Sequence, residues 1–293
     1  MYPRFGTLTF VTPYGLMLVI ALLGCWLHVR RRTLKSGVDA SHIDLAMPLV
    51  FAVSVLGVQW LASFNPDDLE ITGGLFTTHA RLSVFALLLF ALPTLYLYAR
   101  LTRLSSGLSS GLSYGTLLDL FALPVLGCLM LIRLGCFMAG CCWGDLVGQA
   151  PQLANIPDPG LATQVFTLPW LAAENLWTAV SFPAGSFAWR QHLALGLITP
   201  EATGSLPVHP TQLYEFLLLA VLLCVLLRLE DRWVSPGTTV LITLGSYAVL
   251  RFFIEFLRAD NALVLGRLTF TQLICIALLI GCAMVMTAAR RRA

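Results

Sequence analysis

Charge is scarce in this sequence. Only 11% of its 293 residues are Asp, Glu, Lys or Arg, against 58% apolar residues and a mean hydropathy of +0.82. Soluble domains carry about 25% charged residues, so a compact water-soluble enzyme would lack the polar surface it needs. The same figures exclude disorder, which requires low hydrophobicity. Alternating apolar and polar segments are missing, which argues against a transmembrane β-barrel. No CxxC pair or recognised zinc spacing joins the eight cysteines. Most lie in apolar runs, where Cys acts as a small hydrophobe, so a secreted disulfide framework is excluded. A metal site of Cys136, Cys141 and Cys142 with His209, or a disulfide among the three cysteines, is a lesser alternative, and no metal is expected. No convincing internal repeat occurs, which leaves inverted-repeat transporters unsupported. No cleavable leader is expected, since only Arg4 precedes the first apolar run.

What is there is long hydrophobic runs. A crossing helix needs about 20 apolar residues. Seven segments qualify, roughly 13–29, 45–63, 82–99, 116–140, 211–228, 238–257 and 268–288. The fold class expected is therefore an all-α polytopic membrane protein, a single integral domain over 1–293. Arg30, Arg31, Arg32, Lys35, Arg100, Arg103, Arg228, Arg232 and Arg290 to Arg292 all fall on one side of seven spans. The positive-inside rule then predicts an outer N-terminus and a cytoplasmic C-terminus. Residues 145–210, rich in Pro and holding Trp170, Trp177 and Trp189, read as a small outer (periplasmic) interfacial subdomain between the fourth and fifth spans.

Ionisable groups inside spans are costly and mark functional sites. Arg133 lies in LMLIRLGCF, Glu215 in HPTQLYEFLLL, and Arg251, Glu255 and Arg258 in LRFFIEFLRAD, with Asp119 near a span end. The spacing i, i+4, i+7 puts the last three on one helical face, and two cations against one anion predict a net positive stripe. Arginine's planar fork suits phosphate, and a phosphate within a membrane is most simply a phospholipid head group. Plain buried ion pairs, Arg133 with Glu215 and Arg251 with Glu255, are the bland alternative. His209 and Pro210 open the fifth span, with His209, Gln212 and Glu215 along one side. Gly135, Gly140 and Gly144 predict a broken or closely approached backbone after Arg133.

These motifs resemble the prolipoprotein diacylglyceryl transferase family of bacteria. Tyr14-Gly15 is similar to a first-span YG motif. Arg133 to Phe137, running on to Trp143-Gly144, is similar to RxGNF…WG; His209 to Glu215 to HPxQLYE; and Arg251 to Arg258 to RFxxEFxR. Cys136 stands where the family has Asn, and Cys141 where it has Glu. A GGxxFHG loop is echoed loosely by GGLFTTHARLS, which contains His79.

The resemblance implies a transferase in the bacterial inner membrane that moves the diacylglyceryl group of phosphatidylglycerol to the lipobox cysteine of prolipoproteins, releasing glycerol 1-phosphate. It implies membrane lipid and prolipoprotein signal peptides as partners, no nucleic acid and no cofactor. Arg133 and Arg251, with Arg258 near the mouth, are the candidates to stabilise the anionic leaving group. His79, or alternatively His209, would take the thiol proton. Glu215 and Glu255 would orient the arginines. Tyr14, Gly135, Cys136, Gly144, Gln212 and Tyr214 complete the expected substrate contacts. A lipid- or anion-binding or transport protein with the same arginine site and no chemistry is the alternative function, and a thiol-redox membrane protein ranks behind it.

Overall fold

The computed structural model describes residues 13–35, 41–62, 84–106, 113–147, 179–232, 235–258, 263–265 and 268–292. His79 and residues 148–178, which are part of the expected outer subdomain, lie outside these. The chain is mostly helical, and each of the seven apolar segments carries a helix. They are α1 (Pro13–Lys35), α2 (Ser41–Ala62), α3 (Val84–Ser106), α4 (Tyr114–Ala139), α6 (Thr211–Leu229), α7 (Thr238–Ile254) and α8 (Phe270–Arg292), with a short α5 (Phe187–Ala194) between α4 and α6. Among the described residues, five helices are long and apolar enough to cross a membrane: α1, α4, α6, α7 and α8. The apolar stretches of α2 and α3, Ile43–Gly57 and Leu87–Thr102, are shorter.

Two compact units divide the chain: one of Met1–Gly24, Val125–Arg232 and Leu241–Ala293, the other of Cys25–Pro124 and Trp233–Val240. In the second, α2 lies against α3. A Cβ on Gly57 would fall 2.5 Å from the Phe90 ring, a close approach that only a small residue permits. Asp119 accepts hydrogen bonds from the backbone N–H of Gly237 (2.6 Å) and Val240 (2.8 Å). It therefore caps the start of α7, satisfying donors the helix itself leaves unpaired. Its charge is accounted for structurally.

The first unit holds the motifs. α6 buries Thr211, Gln212, Glu215, Leu219 and Leu226 and exposes Leu217, Leu218, Val221 and Val225. Thr211, Gln212 and Glu215 face inward while a row of leucine and valine faces outward, the reverse of a water-soluble helix and an arrangement that suits lipid. The end of α4 follows from Gly140. Its φ of +70° is the left-handed turn that glycine adopts freely. Its N–H bonds to Phe137 O at 3.2 Å and that of Cys141 to Cys136 O at 3.1 Å, a Schellman closure of the helix.

Beyond α4, Trp143, Phe182, Ala188 and Val208 form a small core with Phe137, Leu146, Val180 and Phe187 around it. Isolated bridges tie Leu146 and Val180 to Val208, and Pro183 to Gly204. Ser186 caps α5, accepting from Trp189 N at 3.3 Å. His192 is buried under Trp143, ring centroids 6.0 Å apart. Its Nδ1 accepts the Leu206 N–H at 3.2 Å, and burial pushes its pKa down to about 4. A histidine held neutral in the fold favours folding fully above its ordinary pKa near 6.5. That contribution is lost as pH falls from there towards 4, because the unfolded chain takes up the proton first. A His192→Asn variant is expected to flatten this part of the pH–stability curve, measured by thermal unfolding in detergent between pH 7 and 4.

Candidate functional site

Three separate stretches of sequence are joined here through backbone. Gly144 N donates to His209 O (2.8 Å), His209 N to Asp145 O (2.9 Å), and Asp145 N to Leu257 O (3.0 Å). Gly144 also pairs antiparallel with Arg258. The segment after α4 thus runs between the start of α6 and the end of α7. A side chain at 144 has no room, since its Cβ would lie 2.6 Å from both Leu257 O and Thr211 Cγ2. Gly144→Ala is expected to cost about 1–3 kcal/mol of stability, the usual penalty of overpacking, read as a lowered unfolding temperature. Thr211 Oγ1 donates to Cys142 O at 2.8 Å and Gln212 Nε2 to Cys141 O, so α6 fixes the same loop with two side chains. Burial leaves the Asp145 carboxyl above its usual range, an effect the Leu146 N–H partly offsets.

The joined backbone brings the charged side chains together. Arg133 on α4 puts Nη2 3.0 Å from Glu215 Oε1 on α6. Arg251 on α7 puts Nη1 3.9 Å from the other oxygen of the same carboxylate. Its Nη2 lies 2.7 Å from Glu255 Oε2. Two guanidinium groups from distant parts of the chain therefore meet at one acid. Arg251 is 6% exposed, Glu215 1% and Glu255 2%. Charges this deep need partners and directed hydrogen bonds.

Further groups hold the cluster, and the motifs gave no notice of them. Thr269 Oγ1 donates to Glu255 Oε1 at 2.8 Å. Gln272 caps the start of α8, accepting from Thr269 N at 2.9 Å and donating to Phe252 O at 3.3 Å. The buried Tyr247 accepts a hydrogen bond from the Arg133 guanidinium. Tyr247 sits four residues before Arg251, so the helical repeat that aligned Arg251 with Glu255 reaches it too. Thr269 is fourteen residues past Glu255, at the end of a ribbon of β1 (Leu263–Leu265) and β2 (Leu268–Thr269), and no periodicity points to it.

The expected single helical stripe is corrected at one end: α7 stops at Ile254, and Arg258 lies in extended backbone paired with Gly144. Glu215 faces Arg251 as well as Arg133, so the two buried arginines meet two buried acids and the cluster is neutral. Counting Arg258, three arginines stand against two glutamates, and for an anion the direction of the buried N–H groups matters as well as that count. Among the described residues, Arg251 Nη1 and Gln212 Oε1 are buried with no hydrogen-bond partner. Such groups are rare in folded proteins, and a ligand is a natural occupant.

His209 is buried, and its Nδ1 lies 3.3 Å from the Tyr214 hydroxyl. Tyr14 packs over Gly135, whose Cβ would come 3.3 Å from Tyr14 Cα and 3.1 Å from Met17 Cβ. Gly135 is thus a close-packing position between α1 and α4. Cys136 and Cys141 are buried beside Tyr14. No cysteine here is in a disulfide among the described residues.

Comparison with known proteins agrees with these motifs. The family model described as prolipoprotein diacylglyceryl transferase matches residues 5–288. The phosphatidylglycerol–prolipoprotein diacylglyceryl transferase of Oleidesulfovibrio alaskensis is 28% identical over 306 aligned positions, covering 96% of this chain and 91% of that protein. The protein of the same name from Methylococcus capsulatus is 27% identical over 292, covering 95% and 91%. That of Azotobacter vinelandii is 38% identical over a shorter stretch of 106, spanning 34% of this chain and 40% of that protein.

Proposed function

The chain belongs to the prolipoprotein diacylglyceryl transferase family, and from that premise we propose that it transfers the diacylglyceryl group of phosphatidylglycerol to the lipobox cysteine of prolipoproteins. The observation that carries this reading is the meeting of Arg133 and Arg251 at Glu215. It is a buried, rigid set of N–H donors on helices apolar enough to lie in lipid. In the reaction the cysteine sulfur attacks the glyceryl carbon next to the phosphate. A C–S bond forms, the C–O bond breaks, and glycerol 1-phosphate leaves with the electron pair. Negative charge grows on the departing phosphate, where fixed guanidinium donors lower the barrier without reorganising. Arg251 Nη1 is the donor with spare capacity. Glu215 and Glu255 hold the forks in place, and Arg258, held by its backbone pairing with Gly144, adds positive charge beside them. His209, within reach of Tyr214, takes the thiol proton.

This reading also carries the finer topology: seven crossings, an outer N-terminus, a cytoplasmic C-terminus, a periplasmic segment between α4 and α6, and residence in a bacterial inner membrane. The basic residues at the C-terminal ends of α1, α3, α6 and α8 support it. The test is reconstitution in phosphatidylglycerol vesicles with a lipobox peptide, scored by mass spectrometry. A peptide heavier by one diacylglyceryl group, thioether-linked and accompanied by glycerol 1-phosphate, is the expected result. Lipid binding without any modified peptide would overturn the transferase reading and favour a binding protein.

A further inference from the structure

The mechanism leaves three thiols unused. Cys136 on the last turn of α4 and Cys141 and Cys142 just beyond it bring their sulfur atoms within 4.8 Å of one another. Adjacent residues seldom present side chains to one point. Here the turn at Gly140 (φ +70°) and the left-handed Cys142 (φ +59°) let both follow the helix end back towards Cys136. Cys136 and Cys141 are each 4% exposed, and Cys142 is the more open of the three. Tyr14, Ile132 and Phe187 wall the group. Among the described residues, no His, Asp or Glu joins the three sulfurs.

Three soft donors, joined by no His, Asp or Glu among the described residues, suit a low-coordinate, thiophilic cation. Thiolate ligands select Cu(I) and Zn(II), but structural zinc is almost always tetrahedral. We propose that Cys136, Cys141 and Cys142 bind one Cu(I) ion in trigonal coordination. Each thiol gives up its proton to solvent as its sulfur binds, and no electron is exchanged. One Cu(I) with three thiolates carries a charge of −2. The positive charges of Arg258 and of Arg133, the latter shared with Glu215, both act on Cys142 and reduce that charge. The less buried Cys142 is the point of entry.

The proposal does not rest on the transferase reading, because binding is measured without lipid or peptide. The purified chain, reduced and kept free of oxygen, is titrated with Cu(I) against a coloured Cu(I) chelator. One ion per chain is expected, held at least tenfold more weakly by each of Cys136→Ser, Cys141→Ser and Cys142→Ser, and unchanged by Cys224→Ser, whose side chain is exposed on α6. On the unmutated protein, bound Cu(I) is expected to slow maleimide labelling of Cys136, Cys141 and Cys142, but not of Cys224, as read by peptide mass spectrometry. If the triple serine variant still retains one ion, or if labelling of the three thiols is indifferent to copper, the site is not there.

Discussion

Arg251→Ala is expected to abolish thioether formation, lowering the transfer rate by about 10²–10³-fold, the usual loss when one fixed donor to a developing anion is removed. The guanidinium contacts both acids of the cluster, Glu215 at 3.9 Å and Glu255 at 2.7 Å. Its loss takes the 2.7 Å ion pair from Glu255, which keeps the hydrogen bond from Thr269 Oγ1. Some destabilisation will accompany the loss of activity, so Arg251→Lys is the companion variant. Lysine keeps the charge but not the fork. It should fold like the parent, judged by thermal unfolding, while transfer still falls at least tenfold. If the lysine variant transferred at the full rate, charge alone would suffice and the directed Nη1 donor role given to Arg251 would be wrong.

Much of this site is legible in the sequence, for reasons that are physical. Arg251 and Glu255 are one helical turn apart, and so is Tyr247, so a local repeat is enough to align them. Gly140 can be read as a breaker because glycine ends helices. Gly135 and Gly144 look the same in sequence but do different work: one lets α1 touch α4, and the other lets the backbone pass between His209 and Leu257. Long-range pairing is what the sequence conceals. Nothing local says that Glu215 would face two arginines, or that the helix would end before Arg258 and leave it extended beside Gly144. Asp119 shows the converse: an ionisable residue near a span end that closes the first turn of α7 from 118 positions away. The cysteines looked unpromising because two are adjacent, and only the left-handed turn brings their sulfurs together.

Replacing the pair Arg133 and Glu215 together should separate what the cluster does for folding from what it does for chemistry. Glu215→Ala alone is expected to cost about 3–5 kcal/mol of stability, the range for stranding a buried charge. Arg133 would lose its 3.0 Å partner and keep Tyr247, while Arg251 would keep Glu255. Buried ion pairs as a class, however, are poor sources of stability, since well-packed apolar replacements of similar volume are often neutral or better. The double variant Arg133→Met with Glu215→Leu is therefore expected to unfold within about 1 kcal/mol of the parent, provided the new side chains fill the space as volume-conserving swaps usually do. It should also be inert towards a lipobox peptide, with transfer reduced by at least 10²-fold for want of the Arg133 donor. Unfolding temperature in detergent and thioether yield in vesicles measure the two effects on one preparation. A double variant as unstable as Glu215→Ala would mean that the charges hold the helices together and that their convergence is architecture. A double variant that folds and still transfers would remove Arg133 from the reaction. A stable, silent protein is the outcome that a site built for a phosphate requires.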